Sequence, residues 1–208
     1  MSENLQGSAG WFAARTGKLT ASRMADVLTN GRGGKPSETR RKYLLDLVAE
    51  RMTDVIVPHH VSPPMQWGID HEPLAKAAYR NVTGRTVADC FFFDHFDIDN
   101  FGASPDGLVE DEGLIEVKCP TTSKHVAWTL AGEVPEEHKP QMLAQLACTG
   151  RKWVDFVSFD PRVKGPRALF IRRFTPALEE VAKVEEAARA FLSDVDAAFE
   201  IMTTLEPS

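Results

Sequence analysis

The stretch FGASPDGLVEDEGLIEVKCP, residues 101–120, limits the fold more than any other part of the chain. Leu108-Val109 and the run 114–119 flank the turn-forming residues 110–113, a pattern that predicts a β-hairpin. Strand periodicity places Glu116 and Lys118 on one face and turns Ile115 and Val117 the other way, toward a core. Asp106 stands at the mouth of this ribbon, and the fold-back returns Glu116 to its neighbourhood. Further strands are predicted at 86–93, where Thr86, Val87 and Ala88 precede Phe91, Phe92 and Phe93, at 153–159, and at 168–174 as a partner to the last.

Helices surround these strands. TASRMADVLTN reads as a short helix, capped by Thr20 or Ser22, with Met24, Val27 and Leu28 on its apolar face. A second runs from about Glu38 to Met52 with Tyr43, Leu44, Leu47, Val48 and Arg51 as a partly buried stripe. Residues 66–80 read as a third, beginning near Gly68, with Ile69, Leu74, Ala75 and Ala78 toward the core. Pro73 is placed in its first turn, where the missing N–H costs nothing, and Glu72 near the same end favours the helix dipole. Residues 136–149 form a fourth from about Pro140, stopped by Gly150, and 176–203 a long fifth with Val181, Val184, Ala188, Phe191, Val195, Phe199 and Met202 at threes and fours. Trp11 and Phe12 open the ordered part; residues 1–10 and the tail after 203 are expected to fray. The order predicts one mixed α/β domain over residues 1–208.

Other classes fall away. No apolar run reaches membrane-spanning length, and MSENLQGSAGWFAAR lacks the features of a secretion signal, so a cytoplasmic protein without a membrane partner is expected. Cys90, Cys119 and Cys148 are too far apart for a zinc site or a disulfide framework, and their odd number suits a reducing compartment. The formal net charge of -6 counts against nonspecific coating of nucleic acid. The basic runs at 32–42 and 162–167 can still supply a local positive patch. The loop TNGRGGKPS is no Walker motif, because Lys35 is followed by Pro36; it is either a surface connection or an arm, through Arg32 and Lys35, that touches phosphates. The adjacent His59 and His60 face different ways if extended and make a poor metal pair.

Two converging carboxylates repel unless a cation lies between them, and oxygen ligands of this kind suit Mg²⁺ or Mn²⁺. Asp106 and Glu116 would hold the ion, while Lys118 orients or deprotonates a water or holds charge on a transferring phosphate. The competing explanation is simpler: Glu-x-Lys is common on a strand face that is merely wet.

Four motifs, in order, resemble the YqaJ-like viral recombinases, the family that includes bacteriophage lambda exonuclease, within the PD-(D/E)xK nuclease class. They are WFAARTGKLTAS, MQWGIDHEPLA, SPDGLVEDEGLIEVKCP and HKPQMLAQLACTG, and the likeness runs from about Trp11 to Phe174. It implies a restriction-endonuclease-like core, a central mixed sheet flanked by helices. It also implies a 5′-to-3′ exonuclease that releases mononucleotides from linear duplex DNA and leaves 3′ overhangs for a single-strand annealing protein. On the matching positions, Asp106, Glu116 and the backbone carbonyl of Val117 become metal ligands and Lys118 the catalytic lysine. Glu72 reaches toward the metals, and Gln141 is the active-site glutamine with Gln145 as second choice. Arg15 and Ser22 contact the phosphate near the DNA end, with Arg32 and Lys35 as further DNA contacts. The resemblance further implies two Mg²⁺ ions per site, Mn²⁺ being possible, a ring-shaped homotrimer, and a phage- or prophage-encoded protein in the host cytoplasm.

Three alternatives stand beside it: a related endonuclease or nickase, a catalytically silent DNA-binding protein, and an α/β protein with no nucleic-acid role, the last favoured by the acidic charge. The related iron–sulfur nucleases need four cysteines, one more than the chain has.

Overall fold

The computed structural model describes residues 7–29, 31, 33, 35–56 and 61–205. Arg32, His59 and His60 lie outside the described residues. The helices are α1 (Ala9–Arg15), α2 (Met24–Leu28), α3 (Glu38–Thr53), α4 (Pro63–Thr83), α5 (Thr122–Ala131), α6 (Lys139–Thr149) and α7 (Leu178–Thr204). The strands are β1 (Leu19–Thr20), β2 (Val87–Ala88), β3 (Phe93–Asp94), β4 (Phe101–Ala103), β5 (Gly107–Val109), β6 (Gly113–Lys118), β7 (Trp153–Phe159) and β8 (Leu169–Phe174).

Five strands form one sheet in the order β2-β5-β6-β7-β8, and three form another in the order β1-β4-β3. Within the larger sheet only β6 and β7 run parallel; within the smaller, β1 and β4 do. The fold is therefore α/β with mixed sheets flanked by helices. Side-chain alternation then sorts the core. Ile115, Val117, Trp153 and Val157 pack on one face of the large sheet with Ala75 and Tyr79 of α4. Leu114, Val154 and Phe156 pack on the other with Met142 and Leu146 of α6. The remaining face of α6, Leu143, Ala144, Ala147 and Cys148, enters a third cluster with α2, α3, α7 and the small sheet. Hence α6 is covered on both sides, which its sequence MLAQLAC anticipates in having almost no charge.

The hairpin forms with Gly107 paired to Ile115 and Val109 to Gly113. Gly107 has to be glycine: a Cβ there would come within 2.6 Å of Val87 Cγ1. Gly113 is similarly constrained, since a Cβ would lie 2.1 Å from the Trp153 ring.

Several expectations are corrected. Helix α1 begins at Ala9, capped by Ser8 through Trp11 N–H, so the first helix starts two residues ahead of Trp11. Neither Thr20 nor Ser22 caps α2; their hydroxyls meet each other at 3.3 Å at a 3-10 turn over Ala21–Arg23. Helix α4 starts at Pro63, so Pro73 sits mid-helix and Glu72 is far from the dipole's end. Pro73 removes the N–H that the Ile69 carbonyl would accept; Ile69 is 58% exposed, so water can take its place. Ile69 and Leu74 face outward, whereas Ala75 is buried and Ala78 half-buried as expected, and Tyr79 joins them on that face. Residues 86–93 give two short strands in different sheets rather than one. Helix α5 has no counterpart in the sequence reading. Finally, the Glu116 face of β6 is not wet, because α6 covers it and Glu116 is 1% exposed.

Candidate active site

Continuing the hairpin register one step beyond Gly107–Ile115 sets Asp106 across from Glu116. Two bonds hold it there: Asp106 N–H donates to the Ile115 carbonyl, and Val117 N–H donates to Asp106 Oδ2 at 2.6 Å. Glu116 is gripped at both oxygens. Lys118 Nζ donates to Oε1 at 2.5 Å, and Gln145 Nε2 donates to Oε2 at 2.6 Å. Gln141 Oε1 accepts from Lys118 Nζ at 3.4 Å. The structure thus brings Asp106, Glu116, Lys118, Gln141 and Gln145 together. Of the two glutamines, Gln145 is wholly buried and touches Glu116 directly.

Electrostatics match this crowding. Burial, then the nearby charges of Glu116 and Glu72, push the Asp106 carboxyl well above its ordinary range. Burial lowers the Lys118 ammonium, but Glu116 and Asp106 more than offset it and hold the lysine charged. Glu72 approaches from α4 and pairs with Lys76 at 2.6 Å. Among the described residues no three His, Cys, Asp or Glu side chains form a ready-made metal cluster. The donors still fit a hard divalent ion: they are all oxygens, and a cation beside Asp106 would offset both its burial and its repulsion by Glu116 and Glu72. Asp106, Glu116 and the Val117 carbonyl are the groups able to hold it, with Glu72 beside them.

A groove of about 2150 Å³ runs from this point past α1 and α3, lined by Asp106, Glu72, Arg15 and Ser22 among others. Arg15 ends α1 and lies over the Trp11 ring at 4.1 Å. Gly17, at φ +69, turns the chain back; Glu50 accepts its N–H and Arg51 donates to its carbonyl. Trp11 Nε1 donates to Ser104 Oγ at 2.8 Å, tying the Arg15 helix to the segment that carries Asp106. Ser22 is exposed at the groove, whereas Lys35 is exposed but does not line it.

Two residues of the site escaped sequence reasoning. Lys76 could have been found as the i,i+4 partner of Glu72. His138 had no such signal: it stacks on Phe156 and meets the Trp128 ring edge-on beside Lys118.

A mixed sheet with an aspartate at a hairpin mouth and Glu-x-Lys on the next strand defines a protein of the PD-(D/E)xK nuclease class. The chain belongs to the YqaJ-like viral recombinase family, whose domain matches residues 10–152. It is similar to the alkaline exonuclease LHK-Exo from Laribacter hongkongensis, at 41% identity over 93% of this chain and 95% of that one, with a TM-score of 0.86. The complex of LHK-Exo with dAMP matches at 41% identity, over 92% and 94% of the two chains, with a TM-score of 0.85. A phage related exonuclease from Haemophilus somnus 129PT shares the fold at 14% identity, over 89% and 96%, with a TM-score of 0.67. No curated protein matches the chain in sequence. Among the described residues no helix is long and apolar enough to cross a membrane.

Proposed function

We propose that this protein is a Mg²⁺-dependent exonuclease that hydrolyses linear double-stranded DNA from a 5′ end. The observation that carries the reading is the register that faces Asp106 with Glu116 and sets Lys118 Nζ 2.5 Å from the latter. The 41% identity to an alkaline exonuclease supports the activity, and the dAMP held by that relative supports a mononucleotide product.

Divalent metal, two ions in this reading, would be held by Asp106, Glu116 and the Val117 carbonyl and would polarise the phosphodiester and lower the pKa of the attacking water. The protein's own groups do the rest. Gln145 fixes Glu116 Oε2 and leaves Oε1 turned toward Lys118. Lys118, held charged, stabilises the negative charge that grows on the phosphate. Arg15, with Ser22, binds the 5′ phosphate, so an end and not an internal site is presented. In this reading Arg32 and Lys35 are additional contacts to the DNA backbone, Lys35 from outside the groove. The 3′ overhang would be passed to a single-strand annealing protein, and a homotrimer in the host cytoplasm would keep the enzyme on its strand.

End-labelled linear duplexes, with and without a 5′ phosphate, test this in Mg²⁺ and in Mn²⁺. The expected result is mononucleotide release from phosphorylated linear DNA, none from covalently closed circles, and none with Glu116→Ala. Equal cleavage of closed circles would move the protein to the endonucleases.

A further inference from the structure

One cation of the site has no role in the scheme above. Lys76 lies one helical turn beyond Glu72 on α4 and donates to Glu72 Oε1 at 2.6 Å, with side chains only 14% and 24% exposed. Glu72, Lys76, Asp89 and Asp106 all line the groove that also holds Arg15 and Arg23. Burial pushes the Lys76 ammonium down, yet Glu72, then Asp106 and Asp89, hold it above its ordinary value. So the Lys76 ammonium is paired with Glu72 in a groove that Asp89 and Asp106, the latter a proposed metal ligand, also line.

That charge supplies to Glu72 what a divalent ion would supply. The two cations therefore compete for one carboxylate, and arrival of the ion weakens the hold on Lys76. A lysine has a flexible four-carbon stem and a compact head that can pair with phosphate as a point charge. It already faces the groove in which the DNA strand would lie.

We infer that Lys76 is an exchangeable counterion: it neutralises Glu72 in the metal-free site and turns to a DNA phosphate once a divalent ion is bound. The inference rests on the metal-dependent nuclease reading, and its test separates the two.

Mn²⁺ binding to the full chain without DNA is measured by calorimetry for wild type and Lys76→Met, which keeps an unbranched stem and removes the charge. The variant should bind Mn²⁺ about 10-fold tighter, because its competitor is gone. DNA affinity is then measured against salt in a Lys118→Ala background, so that the substrate survives. In Mn²⁺, Lys76→Met should lower the slope of log affinity against log salt by about 0.9, the loss of one phosphate contact. In EDTA it should leave the slope unchanged, since Lys76 is then engaged with Glu72. Lys76→Gln gives the same comparison should methionine depress the thermal midpoint. Unchanged or weaker Mn²⁺ binding, or a slope that changes equally or not at all in the two buffers, overturns the exchange. If the wild type still cleaves linear DNA, the nuclease reading survives that result; if wild type neither binds Mn²⁺ nor cleaves, both fall.

Discussion

Gln145 donates to Glu116 Oε2 at 2.6 Å in a place where neither side chain meets solvent. A buried carboxylate oxygen that loses its donor keeps its full desolvation penalty, about 1–3 kcal/mol. Gln145→Leu should therefore lower stability by about that amount and, by freeing Glu116 to rotate, cut kcat about 10- to 100-fold. Denaturant unfolding and turnover on linear duplex, run on the same preparation, check both halves.

Glu116→Ala and Lys118→Ala should each reduce cleavage at least about 100-fold, because each removes charge at the reacting centre. The circular dichroism spectrum should be unchanged. A Lys118→Ala protein with undiminished turnover would remove the lysine from the mechanism.

Asp106 makes the metal-free protein sensitive to pH. Its folded-state pKa is raised, chiefly by burial and then by Glu116, so the folded form binds the proton more tightly than the unfolded form. The stabilisation is full below the ordinary carboxylate value and is lost as pH rises through the raised one. Asp106→Asn keeps an acceptor for Val117 N–H and removes the charge. It should raise the metal-free melting temperature at neutral pH by about 3 °C while abolishing cleavage. Melting curves in EDTA across pH read this directly, and a lower midpoint for the variant would contradict it.

His138 has the opposite sign. Burial, then the charge of Lys118, pushes its imidazole down to about 4 from an ordinary 6.5. The unfolded chain takes up the proton first, so stability is lost as pH falls across that window. His138→Phe, which retains the stack on Phe156, should flatten this part of the profile. Chemical denaturation at a series of mildly acidic pH values is the measurement.

The legible parts of the fold are those in which pattern and packing agree. The β5–β6 hairpin, β7 and α3 bury most of the residues their periodicity marks, and α7 buries Val184, Ala188, Phe191 and Val195 while Met202 near its end is exposed; β8 forms as expected but with half-buried side chains. Helix α5 was not legible because its sequence carries no stripe: Leu130 is 82% exposed, and its one buried residue is His125, bonded to Ser158 and the Arg167 carbonyl. The start of α4 was hidden by Pro63 and Pro64, which look like breakers but occupy the first turn, where proline is tolerated. At the site, the order Asp106, Glu116, Lys118 could be read from the hairpin alone. Burial of Glu116 could not, since the covering helix arrives from 20-odd residues further along, a tertiary fact that no strand pattern contains. The same burial explains why Gln145 rather than Gln141 is the direct partner of Glu116.

Every residue of α6 from Met142 to Cys148 is shut off from solvent. One flank is pinned to the sheet that bears Glu116, the other to the helices and small sheet around which α1 is anchored. Such a helix behaves as a fixed gauge bar. In the proposed enzyme it sets how far a gripped strand terminus stands from the scissile bond, so the bite size would be a property of the scaffold, and drift in this helix would be confined to near-isosteric exchanges.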